Sequence, residues 1–437
     1  MSDNNFVPNG WEKAKLGDIA NLVGGGTPSR KKPEYFTGNI VWLTPSQIPK
    51  NKITKINDSE EKITEEGLKK SSAKILPKGT VLMTSRASIG YIAIAGTEVT
   101  TNQGFASFIC NPNIYNWYLA YWLMKETPQI EQQATGTTFK EISKTNLKNF
   151  YINFPPVIEQ KRIVSKIEEL FSQLDAGVAG LKRAQAELAR YRASVLKAAF
   201  EGRLVPQDPN DEPAVMLPDK ESNNLRNREY YIDLPESWKV CKLKDLCEKV
   251  TKGSTPTTYG FSYQEKGVRF IKAQNINPSG TINHDTDFIS IEANDYQKRS
   301  ILKENDILFS IAGTIGRVGI VRKEDLPANT NQALAIIRGL SPIVNTKYIF
   351  HLLSSTVVQE QAINSKVGVG RANISLGDIK DFVIPIPPLN EQQRIVNAIE
   401  KFLSILDDLE ESVIAQLGLS ENLKNSILQS AFEGKLL

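Results

Sequence analysis

The 437 residues predict an α+β fold: two tandem α/β domains, each followed by a long helix, with the two helices paired antiparallel as a coiled coil and the whole pseudo-two-fold symmetric. Three observations carry this expectation. An ordered set of short motifs occurs twice, about 230 residues apart, which is too far for a solenoid and suits a domain-sized repeat. Each copy begins with short strand-like runs broken by turn residues. Each copy ends in an apolar stripe at heptad spacing.

The repeat can be followed along the chain. Trp11 with Leu16, Gly17, Asp18 and Ile19 returns as Trp238 with Leu243, Lys244, Asp245 and Leu246, and Gly26-Thr27-Pro28 returns as Ser254-Thr255-Pro256. Gly79 to Leu82 and Ser88 to Gly90 match Asn305 to Leu308 and Thr314 to Gly316, and Thr101-Asn102-Gln103 matches Thr330-Asn331-Gln332. The closest matches lie in the helical ends. Pro155-Pro156-Val157-Ile158-Glu159-Gln160-Lys161-Arg162-Ile163-Val164 parallels Pro387-Pro388-Leu389-Asn390-Glu391-Gln392-Gln393-Arg394-Ile395-Val396, and Ala199-Phe200-Glu201-Gly202-Arg203-Leu204 parallels Ala431-Phe432-Glu433-Gly434-Lys435-Leu436. The domain middles share only punctuation, so divergence is concentrated in the parts able to touch a ligand.

These boundaries divide the chain into a first domain at 1–155, its helix at 156–204, a linker at 205–234, a second domain at 235–387 and its helix at 388–437. Within the first domain Val81 to Thr84 and Tyr91 to Ala95 read as strands around a Ser/Gly turn, and Ile307 to Ser310 and Val318 to Val321 repeat them. Helical runs at Trp117 to Lys125 and Thr346 to Leu353 are each followed by a second helix-like segment. Pro156 and Pro388 suit the start of a helix, where a missing N–H costs nothing, and Glu159 and Glu391 lie near the positive end of its dipole.

In the first long helix Ile167, Leu174, Leu181, Leu188 and Val195 keep a seven-residue spacing, with Val164, Phe171 and Val178 as companions. Ile399, Leu406, Val413 and Ile427 do the same in the second, with Ser420 as the weak position. About five heptads predict a coiled-coil seam, with a simple bundle as the alternative. Gly202 and Gly434 stop the helices, whose roughly 60 Å exceed the width of a domain, so they read as spacers. Antiparallel pairing would bury both seams and bring the N- and C-termini together.

Composition narrows the function. Hydrophobic residues make up 40% and charged residues 23%, and no apolar run approaches the roughly 20 residues of a membrane span, so a cytoplasmic protein is expected. The polar start, Met1 to Gly10, lacks the order of a secretory signal. Cys110, Cys241 and Cys247 read as buried thiols rather than a disulfide or metal set. With only His284 and His351 there is little material for a His-ligated metal or a Ser-His-Asp arrangement. Gly24-Gly25-Gly26-Thr27-Pro28 and Gly368-Val369-Gly370-Arg371 lack the Lys-Ser/Thr of a phosphate loop and read as turns. Asp208, Asp211 and Glu212 read as a solvated charge run, and Asn153-Phe154-Pro155-Pro156 as a joint between domain and helix. A net charge of +4 permits a nucleic-acid role without demanding it.

Two variable domains opening with Trp…Leu-Gly-Asp and Gly-x-Thr-Pro, each closed by Pro-Pro-x-x-Glu-Gln-x-Arg-Ile-Val and a helix ending Ala-Phe-Glu-Gly-Lys/Arg-Leu, resemble the specificity subunit of type I restriction-modification systems over nearly the whole chain. The departures are Gln393 against Lys161 and Lys244 against Gly17. The resemblance implies two target recognition domains, each reading one half of a split, asymmetric double-stranded DNA site. It implies helices that bind two methyltransferase subunits and, through them, restriction (motor) subunits. It further implies a chain that is not an enzyme and holds no cofactor or metal of its own. S-adenosylmethionine for adenine methylation, and ATP and Mg for cleavage, would reside in the partners.

Major-groove edges are read by Arg on guanine and by Asn or Gln on adenine, while Lys, Ser and Thr more often hold phosphates. On that chemistry the first domain offers Thr27, Ser29, Arg30, Lys31, Gln47, Ser85, Arg86, Asn102, Gln103, Thr137 and Lys140. The second offers Thr255, Thr257, Thr258, Tyr259, Gln274, Asn275, Thr314, Arg317, Asn331, Gln332 and Arg371. Residues recurring in both copies can equally be scaffold caps and turns, and those that differ, such as Arg30, Lys31, Tyr259 and Arg371, are the better specificity candidates. The rival readings are a stand-alone methyltransferase or nuclease, and a coiled-coil adaptor that binds only protein.

Overall fold

The computed structural model describes residues 7–136, 140–214, 233–364 and 373–437. It divides into two compact units, Met1–Lys182 with Ile414–Leu437 and Arg183–Val413. Each unit holds one α+β domain, the start of the helix that follows it and the end of the other long helix.

In the first unit a five-stranded sheet runs in the order Ala20–Gly24, Phe105–Cys110, Val81–Thr84, Ile92–Ala95 and Thr54–Ile56, antiparallel except for the last pair. Val81–Thr84 is buried throughout, because successive side chains point to opposite faces and both faces are covered. Val81 and Met83 join Tyr118, Leu119 and Trp122 of the helix Asn116–Gln132 in one cluster, whereas Leu82 joins Val41, Leu43 and Leu76 in another. The second unit repeats the device in a four-stranded antiparallel sheet ordered Cys247–Lys252, Leu334–Leu340, Ile307–Ser310 and Val318–Ile320. There Ile307 and Phe309 face one cluster and Leu308 the other.

Each unit adds a three-stranded sheet, Glu61–Ile63 with Ile40–Leu43 and Thr100–Thr101, or Asp287–Ile289 with Val268–Ile271 and Ala328–Thr330. In both, the central strand is antiparallel to the first neighbour and parallel to the second. The first and last strands of each domain are clasped together just before the long helix, as Glu12–Lys15 with Tyr151–Phe154 and Lys239–Lys242 with Val383–Ile386. One expectation differs. The first domain has a single 17-residue helix, Asn116–Gln132, with Pro128 inside it, where the sequence suggested two. In the second domain Thr346–Leu353 and Thr356–Asn364 are separate. Ser354 Oγ and Ser355 Oγ donate to the Phe350 and Leu352 carbonyls there, satisfying the last turn and ending the helix.

The long helices span Val157–Phe200 and Leu389–Phe432, 44 residues each and about 66 Å long. Both end at a left-handed glycine, Gly202 (φ +73°) and Gly434 (φ +72°). The next N–H, of Arg203 or Lys435, bonds back to Ala198 O or Ser430 O in the six-residue closure of a Schellman motif. The helices pair antiparallel. In the first unit Lys424 Nζ meets Asp175 at 2.7 Å; in the second Arg192 pairs with Asp407. Each unit gives the direction by itself, since Val164, earlier than Asp175, shares a core cluster with Ala431, later than Lys424, and Phe200, later than Arg192, shares one with Ile395, earlier than Asp407. Val164, Ile167 and Ile399 of the expected seams are buried, and Phe171, Leu174, Val178, Leu181, Leu406 and Val413 are half-buried.

Each helix end inserts into a domain core. Ile427, Leu428, Ala431 and Phe432 complete the cluster of the first unit, where Phe432 lies edge-on to Tyr118 at 5.0 Å. Ala199 and Phe200 complete that of the second, with Phe200 edge-on to Tyr348 at 5.4 Å. Gly434 packs against Pro8 and Trp11, so the two ends of the chain meet in the first unit. Most of the expected linker, residues 215–232, lies outside the described residues. Asp211 corrects the solvated-charge reading: it forms a two-pronged ion pair with Arg394 (3.2 and 2.6 Å), which holds its carboxyl below the usual range.

Candidate nucleic-acid interface

In the first unit three loops converge on the turn at Asn102 to Gly104. Asn102 N–H donates to Leu43 O, Ser85 N–H donates to Gly104 O at 2.7 Å, and Thr27 Oγ1 donates to Gln103 Oε1. Asn102 Oδ1 accepts from Gly104 N–H at 2.9 Å and sets the turn. Gly25 lies so close to the carbonyls of Thr101 and Asn102 that any Cβ would collide with them. A fourth segment joins through Ala87 N–H to Lys140 O (2.9 Å).

The second unit rebuilds this hub with different letters. Ile311 N–H donates to Ala333 O, Gly253 N–H donates to Asn331 O, and Thr255 Oγ1 donates to Gln332 Oε1 at 2.6 Å. Asn331 Oδ1 accepts from Ala333 N–H at 3.0 Å, and Gly253 is again pressed against backbone, here of Thr330 and Asn331. In each unit the threonine holds the glutamine by its carbonyl oxygen, which leaves the amide N–H groups of an exposed side chain to meet an acceptor.

Of the sequence-predicted residues, Thr27, Ser85, Asn102 and Gln103 in the first unit and Thr255, Asn331 and Gln332 in the second belong to these turns or bond to them, and the candidates differ in what their side chains already do. Gln47 Oε1 accepts from Thr44 N–H (3.0 Å) as a cap of the short helix Pro45–Gln47. Asn275 is buried with both ends of its amide bonded, to Lys272 N–H and Asp285 O, and Ser85 is buried too. Arg317 is half-buried, its Nη1 donating to Ala273 O (3.4 Å) and Ile276 O (3.3 Å). Arg30 is held by both carboxylate oxygens of Glu61 and lies 4.2 Å over the Phe36 ring, so the edge that would grip a guanine is occupied. That pairing also raises the Arg30 pKa and lowers that of Glu61.

Arg86 reaches Glu141 only at 3.8 Å and is exposed. Ser29, Lys31, Lys140, Thr257, Thr258, Tyr259, Gln274 and Thr314 are exposed as well. Thr137 and Arg371, with the Gly368 to Gly370 stretch, lie outside the described residues.

Sequence reasoning missed the device that fastens each domain to its helix. Gln160, fully buried, accepts from Tyr115 N–H (2.8 Å) and donates to Asn113 O (2.9 Å) and Pro155 O (2.8 Å). Gln392 repeats all three bonds, with Asn345 N–H (2.7 Å), Ile343 O (3.0 Å) and Pro387 O (3.0 Å). Beside it the indole N–H of Trp11 donates to Glu159 Oε1 (3.3 Å), and that of Trp238 to Glu391 Oε1 (3.0 Å). Burial pushes the Glu391 carboxyl up, against the pull of Gln207 and Trp238. Burial also pushes the Cys110 and Cys241 thiols up to about 12 and leaves them as poor nucleophiles.

The family described as "Type I restriction modification DNA specificity domain" matches residues 8–180 and again 235–419. The MjaIX specificity subunit of Methanocaldococcus jannaschii, a type I restriction enzyme component, is 28% identical over 438 residues, covering 98% of this chain and 94% of that subunit. The EcoBI specificity subunit of Escherichia coli is 32% identical over 311 residues, which are 70% of this chain and 63% of that one. The solved HsdS subunit of Thermoanaerobacter tengcongensis shares the fold over the full length of both chains, with a TM-score of 0.63 at 19% identity. A chain solved in a study of type I R-M assembly and conformational transition superposes with a TM-score of 0.74 at 19% identity, over 98% of this chain and 99% of that one. With two matched segments that together span most of its length, each closing on the same Gln-locked helix, the chain belongs to the type I restriction-modification DNA specificity family.

Proposed function

We propose that this chain is the non-catalytic reading subunit of its complex, with 1–155 and 235–387 as target recognition domains, 205–234 as a linker, and 156–204 and 388–437 as spacer helices. Each domain reads one half of a split, asymmetric double-stranded DNA site. The observation that carries the reading is the twofold occurrence of the same hub, in which loops of divergent sequence are fixed around a turn of constant hydrogen bonding. Constant residues such as Thr27, Gln103, Thr255 and Gln332 hold features common to both halves, and the exposed residues that differ supply discrimination. Cofactors stay with the partners: S-adenosylmethionine in the methyltransferase subunits, and ATP and Mg in the restriction subunits.

Two arginines separate reading from scaffolding. Arg86→Ala should cost about 1 to 3 kcal/mol of DNA affinity with the unfolding midpoint unchanged, at one base pair for a base contact or uniformly, with a flatter salt slope, for a phosphate contact. Arg317→Ala should instead lower the stability of the second unit. Titration of the full chain with its methyltransferase partner on matched and mismatched duplexes checks both, and wild-type affinity of the Arg86 variant would remove that assignment.

The helices offer the docking surface for the methyltransferase subunits. Outside the seam the second helix carries Phe402, Ile405 and Leu409, exposed and spaced by three and four residues, an apolar stripe able to receive a further helix. Leu409→Asp should abolish co-elution with the methyltransferase subunit in size-exclusion chromatography and leave the circular dichroism of the isolated chain as it is.

A further inference from the structure

The two reading surfaces differ in chemistry at one equivalent place. After Thr27-Pro28 the first unit presents Arg30, stacked on Phe36 and Trp42, so its aromatic rings are capped by a cation and sunk in the domain. After Thr255-Pro256 the second unit presents rings without a cap. The short helix Pro256–Tyr259 ends at Gly260 in the left-handed conformation (φ +81°), which leaves Tyr259 at its tip. Tyr296, at the end of the helix Ile291–Tyr296, lies 5.0 Å from Tyr259 and 5.6 Å from Phe261. Both tyrosines are exposed, Tyr296 at 63%, and no charged side chain among the described residues stacks on either ring.

This patch is built rather than incidental. The helix under Tyr296 is capped by Ser290, anchored by the fully buried Ala293 and held at Asn294 Oδ1 by Asn329 Nδ2 (2.9 Å), one residue from the Thr330-Asn331-Gln332 hub. Tyr259 Oη and Arg299 Nη2 both reach Ser254 Oγ, at 3.4 and 3.1 Å, which ties the patch to the Thr255 loop. An uncapped apolar surface continuous with a DNA-reading loop needs an apolar partner in the duplex. In the major groove that group is the C5 methyl of thymine.

We infer that Tyr259 and Tyr296 form a thymine-methyl contact, so that the half-site read by the second unit contains at least one A·T pair recognised through its methyl group rather than by a hydrogen bond. The inference rests on the DNA-reading assignment above and adds Tyr296 to the specificity-determining residues. The discriminating ligand is uracil, which pairs as thymine does and lacks only the methyl.

The full chain with its methyltransferase subunits is titrated against duplexes carrying its site, with each thymine replaced in turn by uracil. Loss of one buried methyl should weaken binding about fourfold, at thymines of one half-site only. The difference should vanish in Tyr296→Ala and shrink in Tyr259→Ala, while Tyr296→Phe keeps it. Equal affinity for thymine and uracil duplexes, persistence of the difference in both alanine variants, or a half-site without thymine overturns the contact while leaving sequence-dependent binding intact. Binding that ignores sequence altogether removes the reading on which the contact rests, and the contact with it.

Discussion

Replacing Gln160 with alanine should lower the unfolding free energy by about 3 to 5 kcal/mol, and Gln392→Ala should match it, although neither residue faces a ligand surface. The side chain of Gln160 satisfies one backbone N–H and two carbonyls at a buried joint. Each group left unsatisfied costs about 1 to 3 kcal/mol, with partial relief where water enters. Gln160→Glu should recover little. Its oxygens can still accept from Tyr115 N–H but cannot donate to Asn113 O or Pro155 O, and a carboxylate at a fully buried position carries a desolvation cost of its own. Urea titration of the full-length variants measures all three changes, and a loss under 1 kcal/mol for both alanine variants would show that the repeated Gln is not a lock.

The second large effect concerns a residue at the far end of the chain. Phe432→Ala should destabilise the amino-terminal domain by about 3 to 5 kcal/mol, the usual cost of deleting a buried aromatic ring, because Phe432 lies in the same cluster as Tyr118, Leu119 and Leu123. Phe200→Ala should do the same to the second domain through Tyr348. Hydrogen exchange resolves the two. The first change should speed exchange in Val81–Thr84 and Asn116–Gln132 and spare Ile307–Ser310; the second should reverse that pattern. Uniform acceleration in both variants would contradict the assignment of each helix end to its own unit.

The sequence made much of this fold legible, for reasons that can be traced. Buried strands such as Val81–Thr84 and Ile307–Ser310 show as short apolar runs next to glycine turns, and Pro156, Pro388, Gly202 and Gly434 mark the ends of the long helices by backbone chemistry alone. The Glu-Gln pair after each proline pair was visible as a repeat, but its partners sit at Trp11 and at 113–115, and no local rule connects them. Hydrogen bonds such as that of Thr27 with Gln103, 76 residues away, have only one sequence signal: both members return in the second copy.

Reading of the candidate site was less complete. Its difference between the two copies marks Arg30 as a specificity residue, yet its guanidinium is committed to Glu61, a pairing that depends on the register of Glu61–Ile63 against Ile40–Leu43. Asn275 and Gln47 looked available and serve as caps. Tyr296 carries no sequence pattern, being a lone tyrosine at the end of a six-residue helix; only its neighbours Tyr259 and Phe261 make it a surface.

If each recognition domain reads its own half of the DNA site independently of the other, exchanging one domain should change one half of the site alone. Methylated sequences are mapped in cells carrying the whole system, first with this chain and then with residues 235–387 exchanged for the corresponding domain of a relative. The expected map is a split motif in which one half changes and the other is kept base for base. A continuous motif, or a change in both halves, would contradict it.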